Sequence, residues 1–434
     1  MMQLIDLRGS ALSASELRNI LPRAELDVGR ALGTAAELIS AVRDEGSSAL
    51  REQAARLDGV EPPHLRVPQE EIDEATAGLE PQVRAALEAM IERVRAGSAA
   101  QVPAPQLTTL ADGAVVELRW HPVSRVGLYV PGGKAVYPSS VVMNVCAAMA
   151  AGVASIAIAS PPQKDFGGRV HPTILGAAGL LGVTEVYAMG GAGAIGALAH
   201  GVADIGLEPV DVITGPGNVY VAAAKRIVQS FVGIDSEAGP TEILVLADDS
   251  ADADHVAADL VSQAEHDELA SALLVTPDAA WAERVVERVE ARAASTKHAE
   301  RVRVSLGGRQ SAVILVDDLA AGARVSNSYA PEHLEVQTRE PEAVLATLHN
   351  AGAIFMGANS PVSLGDYLAG SNHVLPTGGQ SAHTPGLGAH TYLRPQQIIR
   401  YDREALRAVS GHVVALAVAE DLPAHGEAVT ARFS

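Results

Sequence analysis

Val126-Gly127-Leu128-Tyr129-Val130-Pro131-Gly132-Gly133 is the stretch on which the fold turns. A short, mostly apolar run halted by proline and two glycines reads as a buried strand that ends in a tight turn. The same unit returns at 155–159, 185–189, 211–214 and 231–234, with helical stretches between. Buried strands alternating with helices predict a parallel sheet with right-handed crossovers. The alternation resumes at 242–246, 272–275, 312–316, 334–336 and 353–355. The expected fold is therefore α/β, with two Rossmann-like parallel-sheet domains rather than one ten-stranded sheet. The boundary falls near Gly239-Pro240.

Outward from that core the chain becomes helical. Residues 3–6 read as a strand, and Ser13 with Glu16 three positions on fits a capping box. At 35–55 and 70–99 apolar residues recur at helical spacing. Residues 359–395 are rich in Gly, Ser, Asn, Pro and His, and a loop segment this long is usually functional. Two helices follow, at 403–419 and 423–432. This tail has too little apolar surface to fold alone and must pack on the body or on a second subunit. The expected partition is an extension at 1–25, a first α/β domain from 26–122 and 241–380, a second from 123–240, and a helical tail at 381–434.

Composition sets limits. The chain has 434 residues, 48% of them hydrophobic, enough for a large core. A formal charge of −20 argues against nucleic acid or an anionic membrane surface as partner. The apolar run 141–160 contains Asn144, Gly152 and Ser155, and reads as a helix to Ala151, a glycine stop and a strand at 155–159, not a membrane span. A single cysteine, Cys146, excludes an internal disulfide; in its alanine-rich helix it reads as buried and structural. The start Met-Met-Gln-Leu-Ile-Asp lacks the features of a signal peptide, so a cytoplasmic protein is expected.

Three glycine-rich turns follow predicted strands: 129–133, Gly191-Ala192-Gly193-Ala194-Ile195-Gly196, and Gly215-Pro216-Gly217-Asn218. Turns at the carboxyl ends of parallel strands line one crevice, which suits a nucleotide or phosphate ligand. Asp211 lies too close behind Gly196, and at the wrong strand, to complete an ordinary dinucleotide fingerprint. Farther on, Ser326-Asn327-Ser328-Tyr329-Ala330-Pro331-Glu332-His333-Leu334-Glu335 connects two apolar runs. Such a connection is expected at the surface, with Pro331 opening a short helical turn that projects Glu332 and His333 together. A carboxylate and an imidazole side by side can divide proton transfers, one activating water and the other taking an alcohol proton. Pro-Glu-His by itself equally fits a solvated pair on a loop. Gln263 and His266, at i and i+3 of a helical stretch, point to one face.

The segment 328–335 resembles the catalytic segment of histidinol dehydrogenase. So do Ile234-Asp235-Ser236-Glu237-Ala238-Gly239-Pro240-Thr241-Glu242, Ser262-Gln263-Ala264-Glu265-His266-Asp267 and Gly365-Asp366-Tyr367-Leu368-Ala369-Gly370-Ser371-Asn372-His373-Val374-Leu375-Pro376-Thr377. These segments come in the family's order and span nearly the whole chain. The resemblance implies a zinc-dependent enzyme that oxidises L-histidinol to L-histidine with NAD, through L-histidinaldehyde, as the last step of histidine biosynthesis. It implies Glu332 and His333 as the catalytic pair, and Gln263, His266, Asp366 and His425 as zinc ligands. Those ligands, Glu332, His333, Thr241, His373 and Glu420 are the implied substrate contacts. It further implies a homodimer in which the tail bearing Glu420 and His425 reaches the partner's site. Tyr129 and Asn218 match its NAD contacts, while Gly193 stands where the family usually has Gln. Thr241 replaces a frequent Ser but keeps a hydroxyl. These two departures leave open a related enzyme for another amino alcohol, and a zinc hydrolase on the same ligands is the other rival.

Overall fold

The computed structural model describes residues 2–24, 27–132 and 136–434. Gly133, the last residue of the first glycine turn, lies outside the described residues. In chain order the strands are β1 (Gln3–Asp6), β2 (Gln106–Ala111), β3 (Ala114–Pro122), β4 (Arg125–Tyr129), β5 (Ser155–Ser160), β6 (Val186–Ala188), β7 (Val212–Thr214), β8 (Gly233–Ile234), β9 (Glu242–Ala247), β10 (Ser271–Thr276), β11 (Ala312–Leu315), β12 (His333–Gln337), β13 (Ala353–Met356) and β14 (Leu393–Tyr401).

Two all-parallel sheets dominate. One has the order β6-β5-β4-β7-β8, the other β1-β11-β10-β9-β12-β13. The α/β reading thus holds. Apart from β1, which joins the larger sheet at its edge, the winding in each sheet starts at an inner strand, runs outward to one side, then returns and continues on the other. The switch points fall between β4 and β7 and between β9 and β12. β9, β10, β11 and β12 are buried along their whole length, as strands covered by helices on both faces must be. The run 141–160 folds as expected: helix Pro138–Ala151 ends at Gly152, whose φ of 87° only glycine adopts readily, and β5 follows. The Ser13–Glu16 capping box is also present.

The helices of residues 28–99 go elsewhere than expected. Expected to join 241–380, they pack instead on the five-stranded sheet's crossover helices. Helix Val28–Glu45 covers Gly191–His200 and Val219–Val228, Gln69–Ala77 covers Pro172–Leu180, and Pro81–Ala99 covers Pro138–Ala151. The reason lies in the covered helices. Pro138–Ala151, Pro172–Leu180 and Gly191–His200 are apolar around most of their circumference and need a second layer outside them. The N-terminal extension, meanwhile, supplies β1 as an edge strand of the six-stranded sheet.

A third sheet was not foreseen. β14 pairs antiparallel with β3, and β3 with β2. The segment 381–434, expected to be helical, therefore holds a nine-residue strand, Leu393–Tyr401, ahead of helices Arg403–Ala419 and Pro423–Thr430. β2 and β14 are exposed along almost their whole length, so neither carries the half-buried alternation that marks a strand. Among the described residues no helix is long and apolar enough to cross a membrane.

Candidate active site

Helix Leu319–Tyr329 stops just before the Glu332–His333 pair. Ala330 takes a left-handed conformation with φ of 50° and its N–H closes on the Ser326 carbonyl. Pro331 cannot donate the next helical hydrogen bond and disfavours helix in the residue before it. The helical turn expected from Pro331 is therefore absent, and His333 is the first residue of β12. Nor is the pair on the surface. β12 lies between β9 and β13, so Glu332 and His333 are only 7% and 5% exposed.

Burial is compensated by specific bonds. The Glu332 carboxylate accepts from the Thr241 hydroxyl at 2.6 Å and from the Glu242 N–H at 2.9 Å. Because that hydroxyl is spent on Glu332, Thr241 must accept from the Gln263 amide nitrogen, 2.7 Å away. A relay Gln263–Thr241–Glu332 results, and it uses the Gln263 amide nitrogen rather than its carbonyl oxygen. Burial pushes Glu332 up to about 7, although both hydrogen bonds pull it down. His333 Nδ1 lies 3.0 Å from the Glu242 carbonyl oxygen. A carbonyl can only accept, so Nδ1 carries the proton and Nε2 presents its lone pair. Burial holds this imidazole below its ordinary value, so it is neutral and ready to act as a base. The two side chains approach to 3.7 Å.

Three other predicted residues come up to this pair. Gln263 and His266 share one face at the end of helix Ala253–His266, and the His266 ring stacks on Tyr137 at 6.0 Å. His266 is open to solvent on one side, yet desolvation on the other, followed by the neighbouring His333, lowers its basicity. Asp366, near the end of helix Val362–Tyr367, faces His333 and Glu332; burial raises its carboxyl and His333 draws it back. His373 stands behind Asp366. Its Nδ1 donates to the Asp366 carbonyl at 3.0 Å, and its Nε2 accepts from the Ser140 hydroxyl at 3.1 Å. Both ring nitrogens are thus engaged within the chain. Glu420 and His425 are exposed on the tail helices and are not drawn into this cluster. Among the described residues no three His, Cys, Asp or Glu side chains gather around one metal position within a single chain.

The glycine turns meet at the other sheet. Tyr129 ends β4, and its hydroxyl accepts from the Gly191 N–H, 3.1 Å away, at the start of helix Gly191–His200. Gly215, with φ of 113°, brings the turn after β7 against the Tyr129 backbone so closely that no Cβ would fit. That turn is pinned by buried Lys225, which donates to the Gly215 carbonyl at 2.6 Å and pairs with Asp235 at 2.5 Å. Asn218 caps helix Val219–Val228, accepting from Tyr220 and Val221. These groups line the carboxyl ends of β4 and β7, at the switch point. Cys146 is wholly buried and its thiol is pushed up to about 11, as a structural cysteine should be.

Comparison with known proteins gives the chain a place. The family model described as histidinol dehydrogenase matches residues 21–433. The chain is 66% identical over 432 residues to a histidinol dehydrogenase of Leifsonia xyli, covering 100% of this chain and 99% of that one. It is 56% identical over 432 residues to one of Mycobacterium tuberculosis, with 99% and 97% covered. The crystal structure of histidinol dehydrogenase from Elizabethkingia anophelis superposes with a TM-score of 0.93 at 31% identity, covering 100% and 98%. The chain belongs to the histidinol dehydrogenase family. It is an oxidoreductase, and the family is that of a histidine-biosynthesis enzyme.

Gly193 of this histidinol dehydrogenase family member is closely packed. The residue is buried in the first turn of helix Gly191–His200, and a Cβ there would collide with the side-chain oxygen of buried Gln53. Gln53 itself donates to the Leu38 carbonyl at 3.1 Å. Two residues next to the Glu332–His333 pair carry little signal in the sequence. Glu242, at 2% exposure, pairs with Arg23 at 3.2 Å, and burial lifts its carboxyl to about 7. Arg23 also stacks over the Tyr329 ring at 4.0 Å. An acidic residue opening an otherwise apolar strand was the available signal for Glu242. Arg23 sits in an irregular segment and offered none.

Proposed function

We propose that the chain oxidises L-histidinol to L-histidine in two NAD-linked steps through L-histidinaldehyde, as a zinc-dependent homodimer of the cytoplasm. The observation that carries this reading is the buried Glu332–His333 pair, joined to Gln263 through Thr241. Gln263, His266, Asp366 and the partner subunit's His425 form a donor set of amide oxygen, two imidazoles and a carboxylate, which suits zinc. When bound, that ion would hold the substrate's nitrogens and orient its alcohol carbon, and NAD would take up the hydride. Both tasks are distinct from those of the chain's own proton carriers.

His333 Nε2 takes the hydroxyl proton in the first oxidation. Glu332, ionised, then removes a proton from the water that attacks the aldehyde while His333 returns its proton to the aldehyde oxygen; neutral again, His333 accepts the hydroxyl proton of the resulting hydrate. Thr241 steadies Glu332 in both stages. Tyr129, Asn218 and the turn at Gly215 are the residues toward which the nicotinamide cofactor would lie. Gly193 takes part only through backbone. Glu420 and His425 would act across a dimer, which agrees with apolar Leu416 and Val418 on the tail helix and with Leu107, Leu110 and Ile399 on the third sheet, all exposed.

The test is direct. Purified protein given L-histidinol and NAD should release two reduced nicotinamides per histidinol, stop after chelation, and recover with added zinc. Hydrolysis without nicotinamide reduction would favour the zinc hydrolase. Reduction with another amino alcohol but not with histidinol would favour the related dehydrogenase.

A further inference from the structure

Glu335 lies two residues beyond His333 on the same face of β12 and has no exposed surface. An acidic side chain fully buried in a parallel sheet needs a partner. Its Oε1 receives no hydrogen from any described donor. Its Oε2 accepts from the Gln337 amide at 3.2 Å, and the same amide nitrogen lies 3.5 Å from the Asp259 carboxylate. Two carboxyl groups around one amide, one fully buried and the other half-buried, are costly to ionise together. A proton on Glu335, donated to Asp259, satisfies the orphaned oxygen and removes the repulsion together. Burial, followed by the Asp259 charge, holds Glu335 up at about 9. Asp259 is raised by burial and drawn down by the bond from Glu335, then by His255 and Arg292, the other charged groups facing the pair.

The placement of this pair ties three elements together. β12 carries His333. Helix Ala253–His266 carries Asp259 and, on the same face one and two turns later, Gln263 and His266. The Val362 N–H, at the first residue of the helix that carries Asp366, also bears on Glu335. We propose that the Glu335–Asp259 pair is a positioning clamp, a shared hydrogen bond that holds the elements bearing Gln263, His266 and Asp366 in register with the strand bearing His333. Neither residue touches substrate. The inference rests on the zinc-dependent reading given above.

Three variants of the full-length, zinc-loaded protein test it. Glu335→Gln keeps a donor toward Asp259 but cannot ionise. Glu335→Ala removes the donor. Asp259→Ala removes the acceptor from a half-buried helix position that tolerates alanine. Zinc affinity is read by competition with a chromogenic chelator, beside kcat, the KM for NAD and the melting temperature against pH. Both alanine variants should lose zinc affinity by about tenfold or more, the range for residues that orient metal ligands, with kcat falling and the KM for NAD unchanged. Glu335→Gln should stay within about threefold of the parent in both. A folded-state value near 9 against an ordinary 4.5 means that the folded chain holds a proton which the unfolded chain releases. That stability is complete below 4.5 and is lost as pH rises through about 9, so the melting temperature of the parent falls across this window. In Glu335→Gln the fall should be shallower. Unchanged zinc affinity in the alanine variants, a glutamine variant as impaired as alanine, or an unaltered pH slope would each overturn the clamp. A parent protein that binds no zinc and oxidises no histidinol overturns the functional reading instead, and the melting slopes still judge the clamp.

Discussion

Both parallel sheets wind outward from an inner strand, β4 in one and β9 in the other, yet the candidate site residues gather at opposite edges of the two. The five-stranded sheet offers its carboxyl edge, with Tyr129 after β4 and the Gly215 turn after β7. The six-stranded sheet offers its amino edge, with Thr241 and Glu242 at the head of β9 and Glu332 and His333 at the head of β12. At a carboxyl edge the helices begin, and their free N–H groups favour anions such as a pyrophosphate. At an amino edge the helices end, as Ala253–His266 and Leu319–Tyr329 do here, and their carbonyl ends favour cations. One winding rule, used from both ends, yields a crevice suited to a nucleotide and a pocket suited to a metal and an amine.

The contrast can be broken most sharply at the amino edge. His333→Asn should lower kcat by about a thousandfold while histidinol binding, measured by calorimetry, changes little, because a base is removed and the pocket kept. Equal losses in binding would sink the assignment. Glu332 gives the pH dependence. It works ionised, so the rate of aldehyde oxidation should fall as pH drops through about 7, and a nearby bound cation would move that limb lower. Glu332→Gln should abolish the limb and stall the reaction after the first reduced nicotinamide. A rate-against-pH series on histidinaldehyde reads both.

The carboxyl edge should respond more mildly and through stability. Lys225→Met strands Asp235 in the interior and releases the Gly215 turn, so a loss of about 3–5 kcal/mol is expected, with a higher KM for NAD. An unchanged melting temperature would contradict this. Tyr129→Phe removes one hydrogen bond to the Gly191 N–H, worth about 1 kcal/mol. The KM for NAD should then rise by roughly fivefold, with kcat nearly constant. A large fall in kcat there would mean that the two edges do not divide the work as described.

The sheets were legible because buried strands are apolar runs set off by Gly and Pro, as at β4, β5 and β9 to β12. What escaped was whatever depended on long-range packing. β2 and β14 show no alternation because almost all of their residues are exposed. The destination of helix Val28–Glu45 depended on neighbours far along the chain that are apolar on every side. At the candidate site, Glu332, His333, Gln263 and His266 could be named from type and spacing together with a family resemblance. Their burial could not, because it comes from β12 being an inner strand. Glu242 and Glu335 were hidden by the same fact, since an acid beside an apolar run looks solvated until the sheet closes over it.

β1 has a consequence for how the chain is made. Its partner, β11, pairs Gln3 with Ala312, so β1 waits for a neighbour synthesised about three hundred residues later. At roughly 5–20 residues per second that delay lasts on the order of 15 to 60 seconds. Until then an edge of the six-stranded sheet stays open, and a nascent chain arrested before residue 312 would be expected to need a chaperone, whatever the stability of the finished molecule.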